Sequence, residues 1–172
     1  ITLGGVLSAT FMNGSNDNFV VLLIAILAIC ALVGAINGIG VAVFQIPPFI
    51  MTMAMGLLVY STCLGSTLGT PGGYAAPVLR DFMGATLLGI AAPVWLLLIF
   101  VLLGTIVQSY STFGRLLNAV GANPKAAYLA ALPCTRIQTA AYAVAALCAG
   151  LTGVLLTGYA DGATLRMGDS FL

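Results

Sequence analysis

The sequence has no histidine and very little charge: five Lys and Arg and four Asp and Glu among 172 residues, 5% in all. A soluble domain carries about a quarter charged residues, so this chain has too little polar surface to cover a globule in water. The same scarcity leaves no basic patch for nucleic acid and no acidic tail. Four cysteines stand far apart, at Cys30, Cys63, Cys134 and Cys148, which gives neither a Cys/His ligand spacing nor a C-x-x-C pair. No metal centre, disulfide framework or cofactor is expected. No G-x-x-x-x-G-K-[ST] loop occurs, and the sole lysine, Lys125, follows Pro124, so the chain is not expected to bind ATP through a phosphate loop. No carboxylate falls inside an apolar run, which disfavours an intramembrane enzyme and an ion-coupled transporter alike. What remains is a chain that is 61% hydrophobic, and the fold class it predicts is all-α, a polytopic transmembrane helical bundle.

The few charges divide the chain. None lies between Asp17 and Arg80, between Asp81 and Arg115, or between Arg136 and Asp161. About 20 apolar residues cross a hydrocarbon core of about 30 Å. The first interval holds two spans and the others one each: Phe19 to Phe44, Phe49 to Ser66, Leu88 to Tyr110 and Gln138 to Gly158. Leu3 to Met12 reads as the rest of another membrane element. Pro47 and Pro48 remove two backbone donors and enforce a short hairpin between the first two spans. The chain opens on Ile1 rather than Met, with an apolar element almost at once, so a piece of a longer protein is expected.

Short loops rich in Lys and Arg stay in the cytoplasm. Residues 111–137 hold Arg115, Lys125 and Arg136 without an acid, which predicts a cytoplasmic loop there and at the Gln45 to Pro48 turn. The regions around Asp17, from Thr67 to Met83 and from Tyr159 onward then face outside, with Arg80, Asp81, Asp161, Arg166 and Asp169.

Gly34 and Gly38 form a G-x-x-x-G pattern, and Gly150 and Gly153 lie in an alanine-rich last span; small residues at such spacings let helix backbones approach closely. Asn37 is an amide in hydrocarbon and needs a partner, either as glue between helices or as lining of a water-filled path. Gly65 to Ala76 carries four glycines and Pro71 and cannot be one continuous helix. Tyr74, Trp95 and Tyr110 suit interfacial anchoring.

The 111–137 segment is too long for a tight turn and too polar for a span. Asn123 and Pro124 make a helix start, with Asn at the cap and Pro at the first position. A short alanine-rich helix is predicted from Lys125 to Leu132, closed by Pro133. It reads either as a helix resting on headgroups or as a docking element for a cytoplasmic partner.

Across nearly its whole length the chain resembles the permease subunit of a bacterial ABC importer of the ribose/xylose/galactose type. The matching pieces are Gly34-x-x-Asn37-Gly38, then Ile46-Pro47-Pro48-Phe49-Ile50-Met51-Thr52, then Pro93-Val94-Trp95. Gly114-Arg115 follows, through Ala119-x-Gly121-x-Asn123 into Ala126-Ala127, and last Ala149-Gly150-Leu151-x-Gly153 running to Thr157. The resemblance implies a multi-pass protein of the bacterial plasma (inner) membrane that is not itself an enzyme. It implies that Gly114, Arg115, Gly121, Asn123, Pro124, Lys125, Ala126, Ala127, Tyr128, Leu129 and Ala131 couple to a separate ABC ATPase subunit. Asn37 and Thr52 are then candidate pathway-lining residues, and Gly34, Gly38, Gly150 and Gly153 helix-packing ones. The implied partners are the ATPase, a second permease chain, identical or different, an extracytoplasmic sugar-binding protein and membrane lipid. Two positions depart from a family pattern similar to E-A-A-x-x-x-G: Lys125 replaces the acid and Ala131 the glycine. The chain also stops at Leu172, before the last spans expected of such a permease. A permease for branched-chain amino acids, a passive channel and a secondary transporter remain the alternatives.

Overall fold

A computed structural model describes residues 1–14, 16, 18–69, 72–87 and 89–163. Asp17, Pro71, Leu88, Arg166 and Asp169 lie outside the described residues. Among the described residues eight helices follow in order: α1 (Thr2–Met12), α2 (Phe19–Ala42), α3 (Pro48–Ser66), α4 (Pro77–Gly84), α5 (Ala92–Tyr110), α6 (Thr112–Ala122), α7 (Pro124–Leu129) and α8 (Cys134–Ala160). Between α4 and α5 lies a two-stranded antiparallel ribbon, β1 (Thr86–Leu87) and β2 (Ile90–Ala91). Four helices, α2, α3, α5 and α8, are long and apolar enough to cross a membrane. Their 24, 19, 19 and 27 residues correspond to about 36, 28, 28 and 40 Å at the helical rise. This is an all-α membrane bundle.

The helix limits differ from the sequence expectation where proline or glycine chemistry decides them. α2 ends at Ala42, not Phe44, because the chain must reverse before Pro47 and does so through Gln45 at φ 53°. α3 starts on Pro48 itself, at the first helical position, where the missing N–H costs nothing. α5 begins at Ala92 rather than Leu88, since the residues before it are taken up by the ribbon, and Pro93 sits in its first turn. α8 extends from Cys134 to Ala160, beyond the expected 138–158, because nothing after Pro133 interrupts its polar first turn. The segment after α3 leaves the helix through Leu68 and Gly69, both at positive φ.

The centre of the bundle is the antiparallel pair α2 and α8. A Cβ at Gly34 would overlap Ala146 and lie 2.6 Å from the Tyr142 carbonyl oxygen, and one at Gly38 would lie 2.7 Å from Thr139 Cα. Gly150 receives Cys30, whose Sγ would be 2.7 Å from an added Cβ. Backbone contact this close is what small residues permit where the surrounding solvent is itself apolar. α1, about 16 Å long by its 11 residues, inserts against the same helix. Gly4 packs on Gly150, and Gly153 on Ile1 and Gly5. The fully buried Thr157 hydroxyl lies 2.9 Å from Gly153 O and 3.3 Å from Gly5 O, so the added polar group is satisfied at the joint. Met12, Ile26, Cys30, Ala76, Leu79 and Val154 form the main core cluster.

At the opposite end of the bundle from the α1–α2 connection, residues 111–137 hold two helices where one was expected. Ser111 caps α6, its hydroxyl accepting from Gly114 N at 3.0 Å. Gly114 is pressed on the last turn of α5: an added Cβ would lie 2.6 Å from Gln108 Cα. The α5–α6 corner therefore requires glycine. α7 starts as the sequence suggests, with Asn123 Oδ1 accepting from Ala126 N at 3.1 Å and Pro124 first in the helix. It stops at Leu129 rather than Leu132. Ala131 adopts φ 55°, its N–H donating to Tyr128 O at 3.0 Å, and Leu132 N donates to Ala127 O at 3.1 Å. This pairing closes a helix through a left-handed residue, a position that favours glycine. The position is the one where the resembled pattern has glycine and this chain has Ala131.

Two outcomes follow from this packing. Gly34→Ala is expected to lower stability by about 1–3 kcal/mol through overpacking, whereas Gly56→Ala, with nothing within 4 Å, is neutral or stabilising by up to about 1 kcal/mol; thermal unfolding of the detergent-solubilised protein compares them. Ala131→Gly should stabilise by about 1 kcal/mol by relieving the left-handed alanine, and an unchanged unfolding midpoint would contradict the turn described.

Candidate functional site

The described charges are segregated by end. Arg115 on α6, Lys125 on α7 and Arg136 in the first turn of α8 are all exposed and lie at the end where α2 turns into α3. Arg80, Asp81 and Asp161 lie at the other. There Arg80 and Asp161 form an ion pair that joins α4 to the end of α8. Both side chains are half-exposed, so the pair contributes under about 1 kcal/mol. Leu79 packing on Gly158, Gly73 packing on Ala9, and Asn16 Oδ1 accepting from Val78 N at 3.1 Å do more to seat α4 there.

At the cationic end, α6, α7 and the start of α8 share a small core of Val120, Ala127 and Ile137, flanked by Leu116, Leu117, Leu132 and Cys134. Ala127 is the buried residue of α7. Tyr128 is 76% and Leu129 85% exposed, and Pro124, Lys125 and Ala126 are exposed as well. The helix is thus fixed by one small side chain and presents two bulky apolar ones outward. Gly114 is buried in the α5–α6 corner, while Gly121 is exposed with open space around it. Asn123 forms the cap and Ala131 the closing turn; of the candidate coupling residues Gly114 and Ala127 are buried and the others are exposed.

The two candidate pathway residues differ. Asn37 lies on α2 between the side that meets α8, at Gly34 and Gly38, and the side that meets α3, where Gly40 packs on Met51. Its Oδ1 is buried with no hydrogen-bond partner among the described residues, at a cost of about 1–3 kcal/mol. Thr52 is exposed, and its hydroxyl is already engaged by its own helix, 2.9 Å from Pro48 O and 3.1 Å from Phe49 O. Separately, an apolar cleft of about 340 Å³ runs between α5 and the α2–α8 pair, lined by Leu27, Phe100, Gly104, Leu147 and Leu151 among others.

Sequence reasoning missed α6 and α4. The apolar spacing Phe113, Leu116, Leu117, Val120, at i, i+3, i+4 and i+7, would have found α6, and Pro77 at a first helical position marks α4. Among the described residues, no three His, Cys, Asp or Glu stand together to hold a metal ion.

The chain matches the family model described as branched-chain amino acid transport system / permease component over residues 1–171. Among curated proteins it is similar to the L-arabinose ABC transporter permease protein AraH of Azospirillum brasilense, 30% identical over 91% of this chain and 46% of that protein. It is 29% identical to the ribose import permease protein RbsC of Escherichia coli K12, over 90% of this chain and 49% of that protein. The autoinducer 2 import system permease protein LsrD of Photorhabdus temperata is 28% identical over 83% of this chain and 44% of that protein. The chain spans about half the length of the curated relatives it matches. No solved structure matches it significantly. With four helices long and apolar enough to cross a membrane among the described residues and a match over residues 1–171, the chain belongs to the family of branched-chain amino acid transport system permease components, multi-pass proteins of the inner membrane.

Proposed function

We propose that this chain is part of the permease subunit of an ATP-driven sugar importer and that α7 is the element through which a separate ATPase subunit moves it. The observation that carries the reading is α7 itself: a helix capped at both ends, anchored by Ala127 and presenting Tyr128 and Leu129 outward at the cationic end of the bundle. On the positive-inside rule that end is cytoplasmic. ATP is hydrolysed in the partner subunit, and this chain supplies no catalytic group.

A displacement of α7 has two routes into the membrane. One passes through Ala127 and Ile137 to α8, which the glycine contacts tie to α2 and α1. The other passes through Val120 and α6 to the Gly114 corner and so to α5. ATP-driven closure of the partner would bias the spans between inward-open and outward-open arrangements, each stabilised by its own contacts. The bulky apolar side chains exposed on α3 and α5, such as Phe49, Leu57, Leu97 and Leu102, are to be covered by lipid, by further helices of the same subunit or by a second permease chain. Cargo would arrive from an extracytoplasmic binding protein docking at the α4 end.

A sugar or sugar-like cargo is favoured because relatives bear the names of permeases for arabinose, ribose and autoinducer 2. A branched-chain amino acid is the second reading, favoured by the description of the family model.

The full-length protein tests this directly. A cysteine introduced at Tyr128 or Ala130, in a background without other reactive thiols, should crosslink to one of the candidate ABC ATPase subunits of the same cell; absence of a crosslink to any of them in inserted, folded protein would count against the importer. Deleting residues 124–129 should abolish uptake without preventing insertion. For orientation, a cysteine at Asn118 should resist an impermeant reagent applied from outside, whereas one at Gly72 should react.

A further inference from the structure

Resting on that coupling reading, the surface of α7 also specifies what its partner must look like. Lys125, Tyr128 and Leu129 stand at i, i+3 and i+4, so they share one helix face, and all three are exposed. Ala127, on the opposite face, is the anchor. A partner that covers Tyr128 and Leu129 therefore also covers Lys125. The other described charges at this end, Arg115 and Arg136, have the same sign, and among the described residues no carboxylate lies there to balance them. An ammonium brought into an apolar contact without a counter-charge is strongly unfavourable. Charge complementarity thus has to come from the other side of the interface.

We propose that the ATPase groove receiving α7 has an apolar floor for Tyr128 and Leu129 and an acidic wall, with at least one Asp or Glu facing Lys125. The wall also selects partners. A groove lined with cations to receive an acid at the first turn of the helix would repel Lys125, so mismatched ATPase subunits are rejected by charge rather than by shape. An anionic headgroup would offer Lys125 the same charge, so the test is run without one.

The test uses full-length protein in nanodiscs of zwitterionic lipid, titrated with the ATPase subunit that the Tyr128 or Ala130 crosslink identifies. Lys125→Glu should weaken the apparent Kd on the order of tenfold, and Lys125→Gln by less. Raising the salt from about 50 to about 500 mM should weaken the wild type far more than Lys125→Gln. Replacing the facing groove carboxylate by Lys should restore binding to Lys125→Glu. If both Lys125 variants bind like the wild type at either salt while Tyr128→Ala combined with Leu129→Ala weakens binding, the acidic wall is wrong and the coupling reading stands. If the double alanine variant also binds unchanged, α7 is not the docking element and both fall. Unaltered elution of the nanodisc complex verifies that each variant is folded and inserted.

Discussion

The contact of α2 with α8 through bare backbone is the constraint on which the rest of the structure depends. Apolar side chains gain nothing by leaving lipid for one another, so helices in a bilayer are held by close packing and by the few polar groups they share. Gly34, Gly38 and Gly150 allow that closeness along α8. Gly4 and Gly153 extend it to α1, where the Thr157 hydroxyl joins two backbone carbonyls. Larger residues at these positions would hold the helices apart and leave α1 without a seat.

This rigid unit gives α7 something to act on. A six-residue helix has little stability of its own; here Asn123 and Pro124 fix its start, the Ala131 turn its end, and Ala127 its position over Val120 and Ile137. The same few residues that make it a helix attach it to α6 and α8. The small side chain at the anchor is what lets the large ones, Tyr128 and Leu129, remain outside.

Much of this was legible in the sequence. Long charge-free intervals are the direct trace of a hydrocarbon core, so four spans could be placed to within a few residues, and Asn123-Pro124 announced α7 through the chemistry of its first turn. The ends of elements were less legible. Whether α7 reaches Leu132 depends on Ala131 taking a left-handed conformation that alanine does not prefer, and that is set by Leu132 packing into the small core. Likewise α6 hides among polar residues because only one face of it is buried. The contact between Arg80 and Asp161, 81 positions apart, has no local signature at all. Asn37 was recognisable as a buried amide, but its lack of a partner among the described residues belongs to the three-dimensional surroundings.

The placement of α5 has a steric consequence. It is joined to the molecule at its two ends, by α4 and β2 at one and by the Gly114 corner at the other, while the cleft separates its middle from α2 and α8. A helix held at its tips and bordered by a cleft leaves room along its middle for another apolar surface, a lipid chain or a further helix. The glycine-packed α2–α8 seam offers no such room.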